Sequence, residues 1–458
     1  MIKRMSCVKI KGFGVFLSLF LLFGLSANES RAEQGLDEAG FLNSVIDVVK
    51  ANYVEEIDGV KLVEGALSGV MRSLDPHSDY LDPQSYKYLS SITQGEISGI
   101  GVEIMEAFKE GGMKIIAPPY EGSPAFRAKL MVNDIITMID GESVLDMENT
   151  MEKLPGPAGS KVKLRILRGH DLLDVNLVRE VIKIIPVKAK LVASDTIGYI
   201  KINVFNGKTA VQVKSEFQRL IGLNPHLEGL ILDLRWNSGG LWDQAISVAD
   251  LFLPGGVIVS TKSRNPKFNL TYKSNGNDIS RGIPIIVIIN GVSASASEIV
   301  AGAMQDNKRA IILGTKSYGK GSVQQIMPLS NGGAIKLTTA LYYTPGNHCI
   351  QAIGITPDII VKDAVLYNMG DIPNEAMLKK HIKNQQDAGI HGNASNNELQ
   401  GIKVGDDLSN DAERDVKVTI EETKNATGNE DRDFQLLRAI DVIKAMYLYQ
   451  KTSESKPQ

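Results

Sequence analysis

The feature that most constrains the fold is a run of five β-branched residues, Ile285–Ile289, followed by a turn of small residues and then by helical periodicity. β-Branched side chains favour strands, and a strand that is apolar at every position has to be covered on both faces. A similar strand is predicted at residues 230–234, with a helix at 242–252, and another strand at 310–313. Strands that alternate with helices between residues 199 and 361 predict an α/β layer.

The first 32 residues have the layout of an export signal. Four basic residues in the first eleven positions precede an apolar stretch at residues 13–25, and Ala27 and Ala32 follow as candidate cleavage positions. The stretch is shorter than the ~20 apolar residues that span a bilayer comfortably, which favours cleavage, with an uncleaved membrane anchor as the alternative. We therefore expect an exported protein, either periplasmic or anchored on the outer face of the inner membrane by this segment.

The rest of the chain divides by its hydrophobic periodicity. Helical spacing dominates residues 40–89, with a break at 74–78, whereas short strands and turns dominate residues 93–182. Within the latter region, a strand is expected at 102–105 and a helix at 123–130. Residues 385–430 are polar and predict a flexible segment, and residues 434–449 recover helical spacing. Five regions are therefore expected: an export segment or anchor (1–32), a helical region (33–92), a compact β-rich domain (93–182), the α/β layer (183–366) and a polar tail with a terminal helix (367–458).

Composition excludes several classes of protein. Lys and Arg total 50 against 53 Asp and Glu, a net charge of −3 that argues against a general nucleic-acid binder, so no nucleic-acid partner is expected. Two cysteines exclude a disulfide-built scaffold and a Cys-ligated metal centre, and six sparse histidines give little support for metal ligation. We therefore expect no metal and no cofactor.

Three serines, Ser293, Ser295 and Ser297, alternate with alanines in the turn that follows the 285–289 strand. A hydroxyl at a helix N-terminus lies beside free backbone N–H groups, which can stabilise a developing oxyanion. The alternative is structural, with Ser295 as the N-cap of the helix and Glu298 completing a capping box. The residues alone therefore nominate a serine in this turn without selecting one.

Residues 314–324 read Gly-Thr-Lys-Ser-Tyr-Gly-Lys-Gly-Ser-Val-Gln and follow the predicted 310–313 strand. A phosphate-binding P-loop requires Ser or Thr directly after its lysine, but Gly321 follows Lys320, and the next residues favour a strand over a helix. The competing hypothesis is a buried lysine that acts as a general base beside a serine, which requires a depressed pKa. Nucleotide binding stays as an alternative.

A third candidate, Asp-Leu-Arg-Trp-Asn-Ser-Gly-Gly at 233–240, runs from a strand into a glycine pair and a helix. Gly239 and Gly240 can present backbone N–H groups to an anion, or they can form a tight turn that needs positive φ. A Ser-His-Asp triad has less support, because none of the six histidines lies in a segment that resembles an active-site turn. His77, in the break at 74–78, is interpreted as a capping or packing residue.

Together these motifs resemble one family, the carboxyl-terminal processing (tail-specific) proteases. The motifs that carry the resemblance are Ser-Ala-Ser-Ala-Ser-Glu-Ile at 293–299, Gly-Lys-Gly-Ser-Val-Gln at 319–324, Asp-Leu-Arg-x-Asn-x-Gly-Gly at 233–240, Leu-Asp-Pro-His-Ser at 74–78 and Gly-Ile-Thr-Pro-Asp at 354–358. The resemblance implies a serine endopeptidase with a ClpP/crotonase-like α/β core, an inserted β-rich PDZ domain and a helical N-terminal segment.

The resemblance also implies the catalytic roles. Ser295 matches the nucleophile of the family, Lys320 matches the general base, and Gln324 matches the glutamine that orients the lysine. The oxyanion donors match the N–H of Ala296 and that of one glycine of the 239–240 pair, with the choice between the two left open. The other two serines of the turn then take turn and cap roles.

The region at residues 93–182 is similar to the PDZ domain of this family, which implies protein substrates with apolar or small-residue C-termini. In that fold a short loop presents backbone N–H groups to the terminal carboxylate, and the peptide adds as a strand. The residues of this chain that match the loop are Gly99, Ile100, Gly101 and Val102. Where the family's usual turn has two glycines, this chain has Lys129 and Asn133.

The sequence therefore predicts an exported serine endopeptidase that binds protein C-termini through its PDZ domain and cleaves near that end by acyl-enzyme chemistry. The alternative is a noncatalytic PDZ adaptor with a degenerate protease core. The amphipathic terminal helix leads us to expect a homo-oligomer formed through it.

Overall fold

The computed structural model describes residues 37–107, 110–145, 153–364 and 433–454. The predicted export signal at 1–32 and the predicted flexible segment at 385–430 lie outside the described residues. The chain divides into two compact units, of which the first ends at Ala66 and the second begins at Leu67.

The first unit contains helix α1 (Glu38–Asn52) and the beginning of helix α2 (Gly59–Arg72), as the helical spacing predicts. Asp37 caps α1, because its side chain accepts a hydrogen bond of 3.0 Å from the N–H of Gly40. None of the residues of α1 is buried, and apolar side chains such as Phe41 are exposed. The helix therefore forms from its cap and its helical spacing without contributing to a buried core.

The second unit continues through a turn at residues 73–78 into strand β1 (Asp79–Leu81) and helix α3 (Pro83–Gln94). The boundaries of α3 follow from its sequence. The Asp82 side chain accepts a hydrogen bond from Ser85 N–H at the N-cap, and Gly95 ends the helix with a left-handed φ of 88°. The predicted break between the helices is confirmed.

An antiparallel six-stranded sheet forms the centre of the β-rich region, with strand order β3-β4-β5-β7-β8 and β6 paired to β5. Its core consists of buried aliphatic side chains such as Ile115, Ile136 and Leu164. Strands β2 and β9 form a separate ribbon beside it. The elements of this region are β2 (Glu96–Gly99), β3 (Ile104–Ala107), β4 (Gly112–Ile115), α4 (Pro124–Arg127), β5 (Ile135–Ile139), β6 (Glu142–Ser143), β7 (Lys161–Arg168), β8 (Asp171–Val178) and β9 (Glu180–Lys183).

Two predictions for this region were wrong in their boundaries. The strand expected at 102–105 begins at Ile104, and the helix expected at 123–130 spans only Pro124–Arg127. The helix ends early because Lys129 takes a left-handed φ of 58°, and Asn133 likewise takes a φ of 72°. Both residues therefore stand at positions whose backbone favours glycine, and asparagine tolerates this conformation better than lysine does.

The predicted α/β layer is confirmed as a six-stranded sheet of order β10-β11-β12-β15-β16-β19, in which only the β10–β11 pair is antiparallel. Its elements are β10 (Val187–Val192), β11 (Ile197–Ile202), α5 (Thr209–Leu223), β12 (Gly229–Asp233), α6 (Trp242–Asp250), β15 (Ile285–Ile289), α7 (Ala296–Asp306), β16 (Ile311–Gly314), β19 (Ile359–Ile360) and α8 (Phe434–Glu454).

Both faces of this sheet are covered, as the five β-branched residues of β15 require. Ile285, Val287 and Ile289 belong to the cluster that includes α5, α6 and α7. Ile286 and Ile288 point to the opposite face and pack in the cluster that includes α8. The predicted terminal helix therefore docks on the sheet of its own chain, with Leu436, Ile440 and Ile443 buried there.

A second sheet is antiparallel and was not anticipated as a separate layer. Its order is β1-β18-β13-β14, with β17 also paired to β18. The strands not yet bounded are β13 (Val257–Lys262), β14 (Thr271–Lys273), β17 (Ser322–Pro328) and β18 (Ala334–Tyr343), and a 3-10 turn lies at Pro266–Phe268. Because Asp79 pairs with Lys336, the turn at residues 73–78 is held against β18.

Candidate active site

The serine-rich turn connects β15 to α7, and its three serines differ in the hydrogen bonds of their hydroxyl groups. The Ser293 hydroxyl donates to the carbonyl of Leu234, and the Ser297 hydroxyl donates to the carbonyl of Asn237, each at 2.9 Å. Both side chains therefore fasten this turn to the chain segment that follows β12. The hydroxyl of Ser295 makes neither of these bonds, which leaves it available for chemistry.

Ser295 lies at the N-cap of α7 with φ 53° and ψ −112°. A non-glycine residue in this region of backbone space is strained, and such strain is common where a side chain is held for function. Gly239 makes the position accessible, because a Cβ atom on Gly239 would lie 2.8 Å from the Cβ of Ser295. A side chain at position 239 would therefore collide with the serine.

Two backbone donors lie at this end of α7. Ala296 is the first residue of the helix, so its N–H has no carbonyl partner within the helix. The N–H of Gly239 donates to the Asn237 side-chain oxygen at 2.9 Å. Among the backbone and side-chain acceptors of the described residues, the N–H of Gly240 has no partner. Gly239 and Gly240 have φ values of 112° and 135°, so the turn also needs their conformational freedom.

Glu298 joins the serine turn to the lysine loop. One carboxylate oxygen accepts hydrogen bonds from the N–H of Ser295 at 2.8 Å and of Lys320 at 2.9 Å. The other accepts from the Ser317 hydroxyl at 2.5 Å and the N–H of Gly319 at 2.7 Å. Burial raises the pKa of Glu298 above its ordinary value despite these four donors. The glutamate half of the predicted capping box is thus present, and the same carboxylate also contacts a loop over twenty residues away.

The amine of Lys320 lies in a largely buried environment. Burial, and then the charge of Lys336, lowers the pKa of Lys320 below its ordinary value, against the opposing charges of Asp75 and Glu298. A lysine needs such a depressed pKa to accept a proton near neutral pH. His77 lies near the same amine, since burial and then the charge of Lys320 lower the pKa of His77.

Tyr342 lies on β18 beside the two candidate catalytic residues. Its hydroxyl donates to the backbone carbonyl of Lys320, and the nearby side chain of Ser295 lowers the pKa of Tyr342 against the effect of burial. Burial raises the pKa of Tyr342 well above its ordinary value, so the phenol stays protonated. Among the described residues no hydrogen bond joins the Ser295 hydroxyl directly to the Lys320 amine. The two segments are joined by the hydrogen bonds of Glu298.

Strand β17 begins at Ser322, two residues after Lys320, so the loop does not lead into a helix. The P-loop alternative requires a helix at this point and is therefore wrong. Gln324 lies on β17, and its side-chain amide donates to Ser322 Oγ at 2.9 Å and to Thr338 Oγ1 at 3.1 Å. The predicted glutamine is thus held on the strand that follows the candidate base.

The Asp-Leu-Arg motif at 233–235 forms a buried ion pair behind the glycine turn. Asp233 is fully buried, and its Oδ2 lies 2.7 Å from Arg235 Nη2. Burial would raise the pKa of Asp233, but Arg235, Lys201 and the Tyr199 hydroxyl hold it well below its ordinary value. Arg235 also contacts Asp433, at 2.7 Å, so this motif fastens the start of α8 to the core.

The predicted carboxylate-binding loop, Gly99–Val102, leads into β3, which lies at the edge of its sheet. Gly101 has a left-handed φ of 88°, and Ile100 is buried. Within the described residues, the N–H groups of Ile100, Gly101 and Val102 donate to no acceptor. Among the described residues the outer edge of β3 pairs with no strand, and an unpaired edge with free N–H groups is what such a domain uses to bind a peptide terminus.

The next residue, Glu103, links this loop to the glycine turn of the core. Its carboxylate accepts hydrogen bonds from the Tyr120 hydroxyl and from the Ser238 hydroxyl, each at 2.7 Å. Burial raises the pKa of Glu103 above its ordinary value. Ser238 directly precedes Gly239, so one carboxylate connects the peptide-binding loop with the turn beside Ser295.

Within residues 37–107, 110–145, 153–364 and 433–454, no helix combines the length and apolar composition needed to span a bilayer.

The fold and this site define a serine-type peptidase that carries a PDZ domain. The profile of peptidase family S41 matches residues 196–361, and that of the PDZ domain matches residues 115–168. A third profile, described as the activating protease CtpB N-terminal domain, matches residues 24–85. The chain belongs to peptidase family S41.

Relatives and a solved structure agree with this assignment. The carboxy-terminal-processing protease of Bartonella bacilliformis is 40% identical over 385 residues, which cover 82% of this chain and 88% of the relative. The carboxyl-terminal-processing protease of Synechocystis is 36% identical, over 66% of this chain and 71% of the relative. The solved structure of a photosystem II D1 C-terminal processing protease matches with a TM-score of 0.57 and 27% identity, over 71% of this chain and 93% of that one. The predicted fold class and enzyme class are confirmed, and the noncatalytic adaptor is not favoured.

Proposed function

We propose that this peptidase binds protein C-termini and cleaves near them through Ser295, Lys320 and Gln324. The observation that carries the proposal is the carboxylate of Glu298, which accepts hydrogen bonds from the backbones of both Ser295 and Lys320. One buried group holds the backbones of both segments together, which supports the proposal that the serine hydroxyl and the lysine amine act in one site.

The geometry supports an acyl-enzyme reaction. Ser295 Oγ attacks the peptide carbonyl carbon while the neutral amine of Lys320 takes the hydroxyl proton. The C–N bond then breaks, and the lysine ammonium returns the proton to the leaving amine. Water hydrolyses the resulting ester by the same route and frees Ser295.

We assign the oxyanion donors to the N–H groups of Ala296 and Gly240. The N–H of Gly239 already donates to Asn237, whereas that of Gly240 has no acceptor among the described residues. In this assignment Gly239 provides the close approach to Ser295, and Gly240 provides the hydrogen bond to the developing charge.

The proposed substrates are proteins with apolar or small-residue C-termini. The loop Gly99–Val102 would bind the terminal carboxylate, and the open edge of β3 would pair with the residues before it. Support comes from the free N–H groups of the loop and from relatives named carboxyl-terminal-processing proteases.

Export of the protein to the periplasm, or to the outer face of the inner membrane, is proposed from the charged and apolar pattern of residues 1–32. Assembly through α8 stays a prediction. The side of this helix that carries Leu436, Ile440 and Ile443 is buried against its own chain, so a partner would have to use the exposed side, which includes Leu448.

The test uses the mature full-length chain and an unstructured protein with an apolar C-terminal tail. Wild-type protein should degrade this substrate and react with a serine-directed fluorophosphonate probe, and Ser295→Ala should do neither. Lys320→Ala and Lys320→Arg should both lose activity while the chain stays folded, because arginine keeps its proton. A Ser295→Ala variant with wild-type activity would overturn the proposed mechanism.

A further inference from the structure

The turn at residues 74–78 is organised around the carboxylate of Asp75. Its oxygens accept hydrogen bonds from the N–H of His77 at 2.8 Å, the N–H of Ser78 at 2.9 Å and the hydroxyl of Ser78 at 2.7 Å. Burial would raise the pKa of Asp75, but these hydrogen bonds hold it below its ordinary value. Asp75 is therefore ionised at neutral pH and can only accept hydrogen bonds.

Thr338 joins the Asp75 turn to strand β18 by hydrogen bonds. Its hydroxyl donates to Asp75 Oδ1 at 3.2 Å, and its N–H donates to Ser78 Oγ at 3.1 Å. Gln324 is paired with Thr338 across the β17–β18 ladder and donates its side-chain N–H to Thr338 Oγ1 at 3.1 Å. A continuous chain of hydrogen bonds thus runs from Asp75 through Thr338 to Gln324.

The donor and the acceptor in each of these hydrogen bonds follow from the ionised carboxylate of Asp75. Because the Asp75 carboxylate is an acceptor only, the Thr338 hydroxyl has to point its proton toward it and offer a lone pair to Gln324. The Gln324 NH₂ group donates one N–H to this lone pair and its second N–H to Ser322 Oγ, at 2.9 Å. Both amide protons are then used, and Gln324 Oε1 is left as an acceptor.

Gln324 follows Lys320 by four residues, and the orientation of its amide matters for the proposed lysine base. An amide oxygen accepts a hydrogen bond from an amine N–H and leaves the amine lone pair open for the serine proton. A reversed amide would direct N–H groups at that lone pair and compete for it. The two orientations of Gln324 therefore differ in their effect on proton transfer, although they occupy the same volume.

We propose that Asp75 and Thr338 are positioning residues that orient the Gln324 amide so that its Oε1 atom serves the amine of Lys320. The inference rests on the proposed roles of Lys320 as the general base and of Gln324 as the residue that orients it, and it adds two residues to them. Asp75 lies 245 positions before Lys320 in the sequence. The pairing of β1 with β18 brings the Asp75 turn to the strand that carries Thr338.

The test compares substitutions at Thr338 in the mature full-length chain. Thr338→Val keeps the shape but removes the hydroxyl, and we expect kcat to fall by roughly 10–100-fold with little change in KM, a part of the ~10²–10⁴-fold that general acid–base catalysis contributes. Thr338→Ser keeps the hydroxyl and should restore most of the lost kcat. A role limited to packing would not be rescued by the smaller serine.

Thr339 supplies a matched control on the same strand. Its buried hydroxyl has no hydrogen-bond partner among the described residues. Thr339→Val makes the same chemical change one position away, so its kcat should equal that of the wild type. Thermal unfolding of each variant shows whether the assay temperature lies below its melting range.

Asp75→Ala tests the Asp75 end of this series of hydrogen bonds. It removes the acceptor, so the Thr338 hydroxyl no longer has to point its proton away from Gln324, and kcat should fall about as much as in Thr338→Val. Asp75→Ala also removes a negative charge near Lys320, so the acid limb of the pH profile of kcat/KM should move to lower pH. In Thr338→Val all four charged or titratable groups near the amine, Asp75, His77, Glu298 and Lys336, remain, and the limb should stay in place.

Wild-type kcat in Thr338→Val, or equal losses in Thr338→Val and Thr338→Ser, would overturn the inference. If Thr338→Val does not fold, wild-type kcat in Asp75→Ala would overturn it instead. These outcomes are distinct from failure of the proposed function, which shows as activity in Ser295→Ala or Lys320→Ala.

Discussion

Lys336 is the charged residue that opposes protonation of Lys320 most directly. After burial, its charge is the main cause that lowers the pKa of Lys320, and it also lowers the pKa of His77. Lys336→Met removes this repulsion, so both pKa values should rise. Since the lysine has to be neutral to accept a proton, the acid limb of the kcat/KM profile should move to higher pH. Rates measured between pH 5 and pH 10, roughly the range around lysine and histidine titration, would show the shift.

Lys183→Met provides the control for this prediction. Lys183 is exposed on β9, and its charge is not among the causes that shift the pKa of Lys320. The substitution changes the net charge of the protein equally but should leave the acid limb in place. An unchanged limb in Lys336→Met, or an equal shift in both variants, would contradict a local effect of Lys336.

Helix α8 covers one face of the central sheet, and its contribution can be measured at Ile443. This side chain is fully buried and packs in the cluster that includes Ile286 and Ile288. Ile443→Ala should lower the free energy of unfolding by about 2–5 kcal/mol, because it removes buried methyl groups and leaves a cavity.

Leu448 lies on the same helix with 61% of its surface exposed. Leu448→Ala should change stability by less than about 0.5 kcal/mol. Denaturant unfolding measures both, and equal effects would show that α8 does not pack on the sheet as described.

Elements with strong local signals could be predicted from the sequence. Strand β15 begins and ends where its run of β-branched residues does, since such residues favour strands. The small helix α4 was predicted too long, because the pattern does not show that Lys129 leaves the helical region. The second sheet was missed as a layer, because its long strand β18 is mostly half-buried and carries a mixed pattern.

The residues of the candidate site also differ in whether the sequence could predict them. A serine in the turn at 293–297 could be nominated from the residues, and the resemblance selected Ser295 and Lys320. The contacts of Asp75 and Thr338 could not be predicted, because 263 positions separate them and only strand pairing brings them together. Glu298 was recognised as a cap, but its contact with the lysine loop depends on the tertiary structure.

At the scale of the whole molecule, the bond between Glu103 and Ser238 links the proposed peptide-binding loop to the turn beside Ser295. Both tryptophans of the chain, Trp236 and Trp242, flank this turn in the sequence. A peptide carboxylate bound at Gly99–Val102 would lie next to Glu103. Binding should therefore alter the surroundings of Ser238 and, with them, the fluorescence of the neighbouring indoles.

This coupling can be measured in the inactive Ser295→Ala protein, which binds peptide without cleaving it. A peptide with an apolar C-terminus and a free carboxylate should change the tryptophan fluorescence, and its amidated form should not. Adding Ser238→Ala removes the hydroxyl that contacts Glu103, so the peptide should still bind, as measured by calorimetry, with a smaller fluorescence change. A hydrogen bond to a charged group typically contributes roughly 1.5–3 kcal/mol. Its removal should therefore weaken the link between the loop and the turn enough to lower the measured fluorescence change. An identical fluorescence change with and without Ser238 would show that peptide binding reaches the turn by another route or not at all.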